Sequence, residues 1–144
     1  MGDVANLGRL LSDTARRFPD RPGLVWGERS WSWAELDRRV NAAVRGLQAA
    51  GFGKGDKLLV QARNSNQLFE TMFAAFKLGA VWVPCNFRLT PPEVGYLAQS
   101  SDAVAFFVDD VFPEHAAAAR AAAPALRAVY WIGTPPAGEA SYES

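Results

Sequence analysis

Leu7, Leu10, Leu11 and Phe18 recur at helical spacing near the start of the chain, and "RRFPDRP" closes this first amphipathic helix. "GLVWGERSWSW" alternates instead, which predicts a short hairpin turning at Gly27 and Glu28. Ser32-Trp33-Ala34-Glu35 is a capping box, in which the Ser and Glu side chains satisfy free amide donors at a helix start. Leu36, Val40, Val44 and Leu47 form one stripe of the helix that follows, and Gly51 stops it.

From there the pattern becomes regular. "KLLVQA" (Lys57 to Ala62) is nearly continuous in apolar residues, the mark of a parallel strand covered on both faces. Asn64 or Ser65 caps a helix carrying Leu68, Met72, Phe73 and Phe76, apolar over most of its surface and expected to be well buried. "AVWVP" is the next strand, and Thr90-Pro91-Pro92-Glu93 is a second capping box, with Pro where its missing N–H is harmless. "AVAFFV" (Ala103 to Val108) and "AVYWI" (Ala128 to Ile132) are two more strands, separated by the helix "FPEHAAAARAAA". Strands alternating with helices predict an α/β fold, a parallel sheet flanked by helices, preceded by a small N-terminal hairpin. "GTPPAGEASYES" reads as a Pro/Gly/Ser linker. The expected organisation is therefore one unit over 1–133 and a linker over 134–144, together a part of a larger fold of several subdomains.

Composition narrows the function classes. Fifteen basic and fifteen acidic side chains cancel in 144 residues, which leaves no electrostatic footprint for nucleic acid or anionic lipid. One cysteine, Cys85, excludes an internal disulfide, and one histidine, His115, excludes a multi-His metal site. No apolar run approaches the roughly 20 residues that cross a bilayer, and a cytoplasmic location is expected.

Four places invite a chemical reading. "GFGKGD" leaves a helix and enters a strand, the reverse of a phosphate loop, and reads as a helix cap and turn. "FFVDD" puts Asp109 and Asp110 at the carboxyl end of a strand, where α/β sheets bind ligands. A metal or receiver-like site is one reading of that pair; capping of the helix near Phe112 by Asp110 is the other. His115 reads as a surface residue and Cys85 as a small buried one. "PCNFR" also lies at a carboxyl strand end. Asn86 and Arg88 are candidates for substrate binding there, against turn chemistry with an ion pair to Glu93.

The ordered set of segments resembles the N-terminal part of the adenylate-forming acyl-CoA synthetases, the AMP-dependent synthetase and ligase family. It comprises the aromatic-rich hairpin, "SWAEL", "GFGKGD" before a strand, an Asn-Ser turn, "KLGA" before a strand, and "VPCNFRLTPPE". The resemblance covers Leu7 to Asp110 at least. It implies a two-step ligase in which ATP activates a carboxylic acid, fatty or aryl, to acyl-AMP, and coenzyme A then displaces AMP. Such chemistry needs ATP, Mg2+ and coenzyme A, with cations and backbone donors facing the developing charge. The family's "S-G-T-T-G-x-P-K" loop does not occur in these residues. The resemblance thus implies a fragment with no catalytic residue and no metal ligand of its own, inactive alone and binding none of these cofactors tightly. It also implies an uncovered surface, met by the remainder of the synthetase or by self-association.

Overall fold

The computed structural model describes residues 6–144; Met1 to Ala5 of the expected unit 1–133 lie outside the described residues. Its elements run α1 (Gly8–Arg17), β1 (Pro22–Trp26), β2 (Arg29–Ser32), α2 (Trp33–Ala49), β3 (Lys57–Gln61), α3 (Asn66–Leu78), β4 (Val81–Pro84), α4 (Pro91–Ser100), β5 (Ala103–Asp109), α5 (Pro113–Ala122), β6 (Ala128–Ile132) and β7 (Ala140–Ser141). Both capping boxes form. The Ser32 N–H donates to Glu35 Oε2 at 2.7 Å and the Glu35 N–H to Ser32 Oγ at 3.2 Å. At α4, Glu93 Oε2 accepts from both the amide and the hydroxyl of Thr90. Ser65, not Asn64, caps α3 by accepting from the Leu68 N–H. Gly79 ends α3 at φ 74°, a left-handed backbone that a side chain disfavours.

β1 and β2 pair as an antiparallel hairpin. The other five strands form one sheet in the order β4-β3-β5-β6-β7, with every pairing parallel. Side chains alternate across this sheet, as the two-residue period of a strand requires. Leu58, Val60, Ala105 and Phe107 pack beneath α2 and α3, together with Leu36, Val40 and Ala75. Leu59, Phe106 and Val108 pack on the opposite side beneath α4 and α5, with Val94, Ala98 and Ala119. No helix among the described residues is long and apolar enough to cross a membrane.

Three sequence expectations change. In α3 the buried residues are Asn66, Glu70, Thr71, Ala74, Ala75 and Leu78, while Leu68, Met72, Phe73 and Phe76 are only half-buried. Small side chains bring the helix close to the sheet, and the bulky ones move to its flanks. In α1, Gly8, Leu11 and Ala15 face inward, whereas Leu7 and Leu10 stay more than half exposed. A Cβ at Gly8 would collide with the Lys77 backbone, so close helix contact sets the rotation of α1. The segment read as a linker, 134–144, also does more than connect. Ala140–Ser141 adds the fifth strand beside β6, and the Tyr142 N–H donates to the Trp131 carbonyl at 2.8 Å.

Candidate functional site

In this strand order β3 leads through α3 to β4 on one side, and β5 leads through α5 to β6 on the other. The carboxyl ends of β3 and β5 therefore flank the switch point at which open parallel sheets place ligand crevices. A pocket of about 460 Å³ opens there, lined by Trp26, Arg63, Ser65, Asp109, Asp110 and Gly133 among others.

Its charged centre is an ion pair that spans the switch. Arg63 Nε donates to Asp109 Oδ2 at 3.0 Å and Arg63 Nη2 to Asp109 Oδ1 at 3.2 Å, a bidentate fork. Burial opposes the charge of Asp109. The Arg63 guanidinium, with the amides of Val111 and Arg63, outweighs that penalty and holds the pKa below the usual carboxylate value. Asp110 does not cap α5 as expected. It accepts instead from the Thr134 N–H at 2.7 Å, joining the ends of β5 and β6. The N-cap of α5, Phe112, has no side-chain cap. A Cβ at Gly133 would collide with the Asp110 carboxylate, so glycine is needed where β6 meets this bond; its φ is 99°.

One strand over, the "PCNFR" corner closes on itself. Asn86 Oδ1 accepts from the Arg88 N–H at 2.9 Å and the Asn86 carbonyl from the Leu89 N–H at 3.1 Å, an Asx-type turn. Asn86, Phe87 and Arg88 are exposed. Glu93 is engaged by Thr90, and Arg88 does not pair with it; the Arg88 guanidinium lies 5.6 Å from the centre of the Phe87 ring. Cys85 is buried, and burial pushes its thiol up to about 11, away from nucleophilic character at neutral pH. His115 is half-buried rather than a surface residue, with Nε2 2.8 Å from the Leu89 carbonyl oxygen.

Sequence reasoning missed two groups. Arg63 was invisible as a partner of Asp109 because strand order is not written in the sequence. The second group is buried between α2, α3 and the C-terminal residues. Glu70, fully buried, accepts from Arg39 Nε at 2.5 Å, Asn66 Nδ2 at 2.9 Å and the Tyr142 hydroxyl at 3.0 Å. An acid in the middle of an apolar helix, one turn after an Asn, was the available signal.

Comparison with known proteins fits this architecture. The family model described as "AMP-binding enzyme" matches residues 11–143, and the chain belongs to that family. Feruloyl-CoA synthase of Amycolatopsis sp is 40% identical over 136 residues, covering 92% of this chain and 26% of that protein. The 2,3-dihydroxybenzoate-AMP ligase of Bacillus subtilis (strain 168) is 33% identical over 105 residues, covering 73% and 20%. The anthranilate CoA ligase AuaEII, solved with anthranoyl-AMP, superposes with a TM-score of 0.93 at 22% identity, covering 99% of this chain and 28% of that one. MbtA of Mycobacterium smegmatis, solved without ligand, superposes with a TM-score of 0.90 at 29% identity, covering 98% and 27%. The fold is thus that of the N-terminal part of adenylate-forming enzymes. The chain spans about a fifth to a quarter of the curated relatives it matches.

Proposed function

We propose that this chain is the N-terminal subdomain of an acid:CoA ligase that converts an aryl carboxylic acid and ATP to acyl-AMP and pyrophosphate, then transfers the acyl group to coenzyme A. The observation that carries this reading is the 40% identity to feruloyl-CoA synthase across 92% of the chain. A fatty acid is the second substrate class, supported by the 32% identity to a medium/long-chain-fatty-acid–CoA ligase of Mycobacterium marinum over 105 residues.

The residues present do not fit the nucleotide and metal themselves. Asp109 is engaged by Arg63 and Asp110 by Thr134. Among the described residues no group of three His, Cys, Asp or Glu is arranged to hold a metal ion. ATP, Mg2+ and coenzyme A are assigned to the remainder of the synthetase, and these 144 residues alone are inactive. The same occupancy of Asp109 argues against the receiver-like alternative.

Arg88 and Asn86 are proposed as substrate contacts. Among the described residues Arg88 has no carboxylate partner, so its exposed guanidinium is available to the carboxylate of an acid. The half-buried apolar flank of α3, with Leu24, Trp26 and Trp82 around a pocket of about 360 Å³, is proposed as the surface covered by the remainder of the large domain.

Acid-dependent ATP–pyrophosphate exchange tests the reading. The synthetase that carries this segment is expected to turn over hydroxybenzoates or hydroxycinnamates faster than fatty acids, and the 144-residue chain alone to give no exchange. Faster exchange with fatty acids would reverse the substrate assignment, and turnover by the isolated chain would remove the claim of inactivity. In the synthetase, Arg88→Ala is expected to raise KM for the acid about tenfold, the scale of one charge-assisted hydrogen bond.

A further inference from the structure

Among the described residues, two buried side-chain polar atoms lack a protein partner: Gln61 Oε1 and His115 Nδ1. They sit on different elements, β3 and α5, yet the other polar atom of each side chain grips the same corner. Gln61 Nε2 donates to the Asn86 carbonyl at 3.3 Å, and His115 Nε2 lies 2.8 Å from the Leu89 carbonyl oxygen. A carbonyl oxygen only accepts, so His115 carries a proton on Nε2.

Holding a polar side chain inside the protein with one atom unmet costs stability, and an apolar side chain of similar size at either position relieves that cost. Gln61 is flanked by leucine and valine strand neighbours and fully buried; Phe112 packs edge-on against His115 at 5.0 Å. Core packing alone favours Met or Leu at Gln61; His115 is half-buried, and its Nδ1 is the atom shut off from solvent. What the two polar residues do share is the corner they hold. The Asn86–Arg88 and Asn86–Leu89 bonds are internal to that corner. Apart from the long contact of the neighbouring Cys85 thiol, Gln61 and His115 supply its hydrogen bonds from outside.

We propose that Gln61 and His115 are positioning residues: they pin the Asn86 and Leu89 carbonyls so that Arg88 is presented at the carboxyl edge in the orientation that substrate binding uses. The inference rests on Asn86 and Arg88 being substrate contacts. A local loss of rigidity without a global loss of stability is its signature.

The test compares His115→Leu, His115→Gln and Gln61→Met, first in the 144-residue chain and then in the synthetase that carries it. Two readouts come from the chain itself: the rate of native-state tryptic cleavage between Arg88 and Leu89, and the urea midpoint. His115→Leu and Gln61→Met are expected to speed cleavage about tenfold, the scale of one lost hydrogen bond. The urea midpoint stays unchanged or rises, because the unmet atom leaves with the side chain. His115→Gln keeps an N–H donor at similar reach and restores cleavage to within about twofold. In the synthetase the Leu and Met variants raise KM for the acid by roughly the same factor, with kcat little changed.

Unchanged cleavage overturns the proposal, as does faster cleavage fully accounted for by a lowered urea midpoint. An unchanged KM in these variants, where Arg88→Ala raises it, overturns it as well. If Arg88→Ala itself leaves KM unchanged, the substrate reading of the corner fails, and the cleavage rates alone then decide whether Gln61 and His115 hold it.

Discussion

The two sides of the sheet are closed by different means. Beneath α4 and α5 the helices contribute mainly small apolar groups to a layer completed by Leu59, Phe106 and Val108 of the sheet: Ala98, Ala116, Ala119 and Ala123 are buried, and a Cβ at Gly95 would sit 3.1 Å from the Ala118 carbonyl oxygen. Beneath α2 and α3 the apolar layer is interrupted by two charged clusters. Glu70 gathers Arg39, Asn66 and Tyr142, and Lys77 Nζ donates to Ser12 Oγ at 2.8 Å, Asp37 Oδ1 at 2.5 Å and Asn41 Oδ1 at 2.7 Å. Burial works against the charge of Asp37, but its bonds to Lys77, Ser12 and Asn41 prevail and lower its pKa. The small-residue side joins elements adjacent in the chain. The charged side ties on α1 and the C-terminal residues, which also add Leu11 and Tyr142 to the apolar layer. There directional bonds supplement the apolar contacts, and their deletion is costly because the partners stay buried.

That contrast makes opposite demands on substitution. The largest effect is expected from Glu70→Ala, which strands Arg39, Asn66 and the Tyr142 hydroxyl and should cost about 3 kcal/mol in urea unfolding; a loss below about 1 kcal/mol would mean that water replaces the carboxylate. On the opposite side Gly95→Val adds bulk between α4 and α5 and should cost about 2 kcal/mol, while a neutral result would show that the helices can separate freely. Tyr142→Phe removes one hydrogen bond to Glu70 and should cost about 1 kcal/mol at neutral pH. Burial, and then the nearby Glu70 charge, raise the Tyr142 pKa above its ordinary 10.0. The neutral phenol therefore stabilises the fold fully below pH 10.0, and this contribution is lost as pH rises from there toward the raised folded-state value. Wild type should lose stability in that alkaline range more steeply than the Phe variant, which lacks the titrating group.

The smallest effect belongs to the ion pair at the carboxyl edge, because Arg63 is largely exposed. Asp109 has a lowered pKa, so its contribution is present above the ordinary value of 3.8 and disappears as pH falls through the depressed one. Asp109→Asn should be slightly less stable than wild type at pH 7, and the two urea curves should converge in strong acid. A gap that persists there would assign the stability to packing instead of charge.

Much of the fold was legible because local chemistry and fold agree. The capping boxes at Ser32 and Thr90, the apolar runs at Leu58 and Phe106, and the Gly51 stop appear in the structure where the sequence places them. What stayed hidden depends on partners distant in the chain. The inward face of α3 could not be read from hydrophobicity, since Glu70 is buried only because Arg39 and Tyr142 satisfy it. The strand at Ala140 has too few residues for a period, and the backbone of β6 selects it. At the site, Asn86 as a turn residue was readable from its type. The pairing of Arg63 with Asp109 required knowing that β3 and β5 are neighbours, and the roles of Gln61 and His115 required knowing which carbonyls their side chains reach.

The strand order also follows the chain order. β3 precedes its partners in the chain; β4 lies on one flank and β5 on the other. Each later strand of the described sheet thus lies beside one that precedes it in the chain, and none has to thread between two earlier ones. The two-residue β7 is joined to β6 at only two residue positions, which places that pairing at the low end of the opening free energies. Amide exchange at Tyr142, whose N–H bonds to Trp131, should outpace that at Phe106 and Val108, the two-position pairing opening before the central one.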